Sequence, residues 1–132
     1  MPIVIGALKR LDMLRSMPEL QERLWSVAMR LQSGLKEAGF DIGHTNSVVT
    51  PVFLKGSLGE ATNVTLELRE TYGLFCSIVV YPVVPKDVIM LRLIPTVVHS
   101  EKDVDYTIES FVKVREKLEA GAYKAEKIAS WA

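Results

Sequence analysis

In Tyr81-Pro82-Val83-Val84-Pro85-Lys86-Asp87-Val88-Ile89-Met90-Leu91-Arg92-Leu93-Ile94-Pro95, a segment that cannot be a strand runs into one that reads as a strand. Pro82 and Pro85 each fix φ and remove a backbone donor, so residues 81–87 form a stiff loop. Residues 88–94 are apolar and partly β-branched, and Pro95 ends them. Working backward, residues 74–80 are also β-branched and aromatic and read as a strand. Two strands joined by so short a loop pair antiparallel. A third strand is expected at residues 48–54, where Pro51 points to an edge position or a bulge. Gly56 is its breaker.

Helical spacing fills the rest. Leu8, Leu11 and Leu14 follow a short apolar start. Ser16 precedes Glu19 by three residues, a capping-box spacing with Pro18 tolerated in the first turn. A second helix is therefore expected over residues 17–38. Leu20, Leu24, Val27, Ala28, Leu31 and Leu35 form its apolar stripe, and Gly39 ends it. Ser57 and Glu60 repeat the capping box, which predicts a helix over 58–71 with Ala61, Val64, Leu66 and Leu68 inward and Gly73 as its stop. Ser100 with Asp103 opens the last helix, whose inner face is Val104, Ile108, Phe111, Val112, Arg115 and Leu118. Arg115 is expected to lie along its edge by its aliphatic stem, and Gly121 ends the helix. The fold class is α+β: a small antiparallel sheet of about three strands with helices packed on one face, preceded by N-terminal helices.

Bulk properties exclude several functions. The 132 residues suit a single domain, and 48% of them are apolar, enough for a core without staples. The formal net charge is zero and no basic run exceeds Lys9-Arg10, which argues against nucleic-acid binding. The single cysteine, Cys76, permits no internal disulfide and fits a cytoplasmic setting. The apolar start has basic residues after it rather than before it, the reverse of a secretory signal, and no stretch is long enough for a transmembrane segment.

Motifs for autonomous catalysis are missing. The two histidines, His44 and His99, stand far from Cys76 and share no metal-ligand spacing, so no metal is expected. No serine sits in a nucleophile elbow, and no glycine-rich phosphate loop occurs. Arg92 breaks the local rule. Alternation places Met90, Arg92 and Ile94 on one face and Leu91 and Leu93 on the other. Two readings stand: an arginine facing solvent, as most do, or an anion clamp whose planar fork matches a carboxylate.

Tyr81-Pro82-Val83-Val84-Pro85-Lys86, then Leu91-Arg92-Leu93-Ile94-Pro95-Thr96, then His99-Ser100, resemble the C-terminal signature of the pyridoxal-phosphate-dependent α-oxoamine synthases. That family includes 2-amino-3-ketobutyrate CoA ligase, 8-amino-7-oxononanoate synthase, 5-aminolevulinate synthase and serine palmitoyltransferase. The helix at 18–38, Gly39-Phe40 and Thr50-Pro51-Val52 match in order and spacing, so the resemblance covers almost all of the chain. Two positions depart from it. Val80 stands where some members carry arginine, and Asp87 where glycine usually follows the Pro-Lys pair.

The resemblance implies the small domain of a fold-type I, aminotransferase-like enzyme, an acyl-CoA:amino-acid C-acyltransferase. Residues 1–15 become an interdomain helix segment, 16–121 the small α+β domain and 122–132 a tail. Arg92 becomes the substrate-binding residue for the amino acid's carboxylate, beside an active-site loop containing Tyr81, Pro82 and Pro85. Pyridoxal phosphate belongs to the intact enzyme, whose Schiff-base lysine, pyridine-binding aspartate and stacking histidine lie in the large domain. Lys55 and Lys86 are not in that lysine motif. The chain alone is therefore expected to hold no cofactor, to have no catalytic residue and to be inactive, and the intact protein is expected to be a homo-oligomer using amino-acid and acyl-CoA or acyl-thioester substrates. The alternative is a free-standing α+β module that binds a ligand or a protein without catalysis. The two differ at the apolar residues of the first helix, which a detached domain leaves uncovered. The isolated chain is predicted to self-associate by exchange of that helix, and a strict monomer at high concentration in light scattering would contradict this.

Overall fold

The computed structural model describes residues 2–124. In chain order the elements are α1 (Pro2–Ser16), α2 (Pro18–Glu37), β1 (Thr50–Lys55), α3 (Leu58–Glu70), β2 (Ser77–Val79), β3 (Val88–Leu93) and α4 (Glu101–Glu119). The sheet has three strands in the order β1-β3-β2, and both pairings are antiparallel. β3 is thus central, and Pro51 falls on an edge strand, where a missing donor breaks no interior ladder.

β3 separates the two sides of the sheet. Ile89, Leu91 and Leu93 are buried, while Arg92 between them is exposed. Val52 and Leu54 of β1 join the buried face. Against it pack Val27, Leu31 and Leu35 of α2, Ala61, Val64 and Leu68 of α3, and Val104, Phe111, Val114 and Leu118 of α4. The opposite face carries Pro51, Phe53, Met90, Arg92, Ser77 and Val79, none of them buried. The helices of the core therefore cover one face only, as expected.

Local signals explain most boundaries. Ser57 and Ser100 accept from the backbone of Glu60 and Asp103, whose carboxylates return to the serine backbones, so both boxes are complete. Hydrogen bonding to Ser57 and Ser100 holds the Glu60 and Asp103 carboxyls below their ordinary range. Gly56 has a packing reason: a Cβ there would stand 2.7 Å from Ile89 Cδ1. Asp87 adopts φ 63°, the left-handed conformation that glycine occupies most easily.

Four sequence expectations are corrected. Ser16 is not a cap: its hydroxyl donates to Asp12 O, inside α1, and Met17 takes the N-cap position without a side-chain bond. Leu66 is exposed. β2 is only Ser77–Val79, because Leu74 N is used by Leu68 O to close α3 and Val80 O is used by Val83 N to open the next turn. β1 starts at Thr50 because Thr45 Oγ1 and Thr50 Oγ1 engage the carbonyls of Val49 and Val48 in a local turn.

The inner face of α4 also includes Val114 and Ser110, absent from the expected stripe. Arg115 does more than lie along the edge. Its guanidinium sits 4.3 Å from the Phe40 ring centroid, and Nη1 donates to Ala38 O at 2.9 Å. Phe40 in turn meets Phe111 edge to face at 6.1 Å. Tyr123, in the C-terminal segment, is buried, and its hydroxyl donates to Glu67 Oε2 at 2.7 Å. Residues 125–132 lie outside the described residues.

α1 buries none of its residues, and Ile3 is 86% and Leu14 68% exposed. Its polypeptide passes almost directly into α2, with Met17 N donating to Met13 O. Leu91→Ala is predicted to cost about 2–5 kcal/mol, since it opens a cavity under the central strand. Ile3→Ser is predicted to leave stability within about 0.5 kcal/mol. Urea unfolding of the two variants checks the contrast.

Candidate functional site

The exposed side of the sheet presents one row of unusual composition. Pro51 on β1, Arg92 on β3 and Ser77 on β2 are cross-strand partners. Direct partners share a face, so the guanidinium lies between a pyrrolidine and a hydroxyl. Arg92 Nε donates to Ser77 Oγ at 3.0 Å. Arg30, Arg69 and Arg115 each form an ion pair with a carboxylate, whereas Arg92, like the helical Arg10, Arg15 and Arg23, forms none among the described residues; Arg92 is the one of these four on the sheet. Its charge is therefore not neutralised by a carboxylate among the described residues, and its terminal Nη1 and Nη2 form no hydrogen bond among them. Ser77 is the residue that sequence reasoning missed. The signal was its register opposite Arg92, which requires knowing where β2 begins.

The loop residues stand elsewhere. Tyr81, Pro82 and Pro85 belong to the turn joining β2 to β3, at the Val88 end of the central strand. Arg92 is four residues further on, ~13 Å along an extended strand. The Tyr81-Pro82 peptide is cis, and Tyr81 is 60% exposed. Lys86 Nζ lies 5.4 Å from the Tyr81 ring centroid, a cation–π contact. Val84 is the buried member of the turn. Among the described residues no hydrogen bond joins this turn to Arg92.

The other reactive side chains are placed apart. His99 Nδ1 accepts from Thr96 N at 3.0 Å and so shapes the turn before α4. His44 is exposed in the loop after α2. Among the described residues no group of three or more His, Cys, Asp and Glu is gathered, and no helix is long and apolar enough to cross a membrane. Cys76 is buried next to Ser77, and burial pushes its thiol up to about 11.

The arrangement is a cation without a carboxylate partner among the described residues, on an open sheet face beside a proline-stiffened turn on the same hairpin. No family model matches the chain. A cysteate-C-fatty acyltransferase of Capnocytophaga ochracea is 61% identical over 122 residues, covering 92% of this chain and 29% of its own length. This chain belongs to the α-oxoamine synthase family, as its C-terminal small domain. An 8-amino-7-oxononanoate synthase of Petrotoga mobilis is 34% identical over 113 residues, covering 86% of the chain and 28% of the relative. Among solved structures, the serine palmitoyltransferase of S. paucimobilis with a bound PLP-myriocin aldimine superposes with a TM-score of 0.67 at 25% identity, over 84% of this chain and 27% of that one. The chain thus spans under a third of the length of these relatives. A second solved serine palmitoyltransferase structure, with a PLP internal aldimine, superposes with a TM-score of 0.70 at 26% identity, over 83% of this chain and 27% of that one.

The Cys76 thiol generates a prediction. Its folded pKa is raised above the ordinary value of 9.0, so the neutral thiol is favoured in the folded state. That contribution to stability is complete below about pH 9 and is lost as pH rises toward about 11. Cys76 in the folded chain is expected to resist alkylation at pH 8 and to react at an ordinary thiol rate in denaturant, measured by mass spectrometry against time.

Proposed function

We propose that this chain is the carboxylate-gripping domain of a pyridoxal-phosphate-dependent enzyme that joins a fatty acyl thioester to an amino acid. The amino acid proposed is cysteate, because the relative named for that substrate is 61% identical over 122 residues. The observation that carries the reading is Arg92. It is a cation at the middle of the exposed sheet face, without a carboxylate partner among the described residues and with its Nε already engaged by Ser77. A carboxylate meets the remaining Nη1 and Nη2 in two parallel charge-assisted hydrogen bonds. Pro51 on the other side of the row offers no competing donor or acceptor from its side chain.

Pyridoxal phosphate does not fit the described residues by themselves. A lysine amine is needed to anchor it covalently. Lys55 closes β1 at the Val88 end of the sheet, and Lys86 lies over the Tyr81 ring. Neither stands in the Arg92 row. When bound, the cofactor supplies an electron sink for the amino acid's α-carbon. In this proposal its anchoring residues come from the greater part of the enzyme, which this chain does not span. The role of these residues is to seize the α-carboxylate and fix the amino acid's orientation, with residues 1–15 linking the two domains and the 80–87 turn bordering the entrance. Positioning of this kind contributes to rate by restricting the reacting groups to one geometry. The 132-residue chain alone is proposed to be inactive.

Arg92→Ala in the full-length polypeptide is expected to weaken cysteate binding about 10- to 100-fold, as loss of a charge-assisted pair does. Arg92→Lys is expected to recover part of that. Cofactor absorbance titrated with L-cysteate, and with L-serine for comparison, measures both. Unchanged affinity in Arg92→Ala would remove Arg92 from the site, and preference for L-serine would replace the proposed substrate.

A further inference from the structure

Ser77 lies directly across the ladder from Arg92 and is the polar side chain that touches it. We propose that Ser77 is a positioning residue: its hydroxyl fixes Arg92 Nε, so that the Nη1/Nη2 edge is presented to the substrate's carboxylate before the substrate arrives. This rests on the reading of Arg92 as the carboxylate ligand.

Three observations support it. The first is geometric. An arginine side chain has many rotamers, and ordering it on binding opposes affinity. A hydrogen bond at Nε of 3.0 Å selects among those rotamers in advance. It also leaves the end-on fork, the edge that takes a carboxylate through two nitrogens, unoccupied.

The second is electrostatic. Arg30 Nη2 meets Asp105, Arg69 Nε meets Glu70, and Arg115 Nε meets Glu119. A carboxylate neighbour orients an arginine, but it also cancels the charge that a ligand would feel. A hydroxyl orients without cancelling. At position 77 a serine therefore does what an aspartate could not, since aspartate would compete with the substrate for the same guanidinium.

The third concerns rigidity. A positioning group must itself be held. Ser77 opens β2 immediately after Cys76, which is buried in the core, and is followed by Ile78 and Val79, which pair with Leu91 and Met90 of β3. The hydroxyl is thus carried on backbone fixed from below by a buried side chain and from the side by the ladder. Pro51, the neighbour of Arg92 on the other strand, has no polar side-chain atom, so the row gives the guanidinium one place to anchor.

The test is a double-mutant cycle in the full-length polypeptide, with L-cysteate as the probe and cofactor absorbance as the signal. Ser77→Ala is expected to raise the dissociation constant and KM for L-cysteate about 3- to 10-fold, the effect of one lost hydrogen bond. Its kcat is expected to change less than KM. Ser77→Thr, which keeps the hydroxyl, is expected to restore binding to within about twofold. In an Arg92→Ala background, Ser77→Ala is expected to add nothing. The inference is overturned by a Ser77→Ala protein that binds as tightly as wild type, or by a Ser77 effect of equal size with and without Arg92. Ser77→Cys, close in size with a weaker acceptor, replaces Ser77→Ala if the latter does not fold, and carries the same expectations. An Arg92→Ala protein with unchanged affinity overturns the parent reading instead, so the two failures are told apart by the single mutants.

Discussion

The two faces of β3 govern this domain. Ile89, Leu91 and Leu93 point into the helices, and Arg92 points away from them, on a strand hydrogen-bonded along both edges. The side-chain period of a strand is two, so a slip of one residue would bury the guanidinium and expose three large apolar groups. Burying an unpaired charge is among the costliest errors available to a protein. The core therefore locks the register, and the register places the cation on the open face.

That open face is chemically incomplete by itself. It holds an arginine without a counter-charge among the described residues, and its flanks are a proline, a serine and partly exposed apolar groups such as Met90 and Val79. α1 is likewise uncovered, with apolar residues around its circumference. Both features suit a domain that works against other protein surface, which agrees with a chain spanning 29% of the length of its cysteate-acyltransferase relative. The helical side is complete by contrast: its buried side-chain polar atoms all have partners among the described residues. Interior order thus supports a face that the described residues leave open.

Local motifs were readable where the hydrogen bonds are local. The Ser57/Glu60 and Ser100/Asp103 boxes form as their spacing implies. The same spacing at Ser16/Glu19 does not, because Ser16 bonds back to Asp12 O and remains part of α1. A hydroxyl three residues before a carboxylate fits either use, and only the path of the chain chooses. β2 is shorter than its composition implies for a related reason. Leu74 to Val80 has strand composition throughout, but its ends are taken by the exit from α3 and by the following turn. Propensity describes a residue's fit to a pleated surface and does not count competing hydrogen bonds.

From sequence alone came the α+β class, the antiparallel hairpin around Pro82 and Pro85, the restriction of Pro51 to an edge or a bulge and the break in apolar pattern at Arg92. Each rests on periodicity, on φ restriction or on capping chemistry, all of which act within a few residues. Tertiary structure alone decided that Ser77 stands beside Arg92, that Arg115 stacks on Phe40 and bonds Ala38 O, and that Tyr123 docks on Glu67. These contacts join positions 15, 77 and 56 residues apart in the bonds to Ser77, Ala38 and Glu67. They depend on strand register and helix packing, which are set by the burial of the whole core and by no short run of sequence.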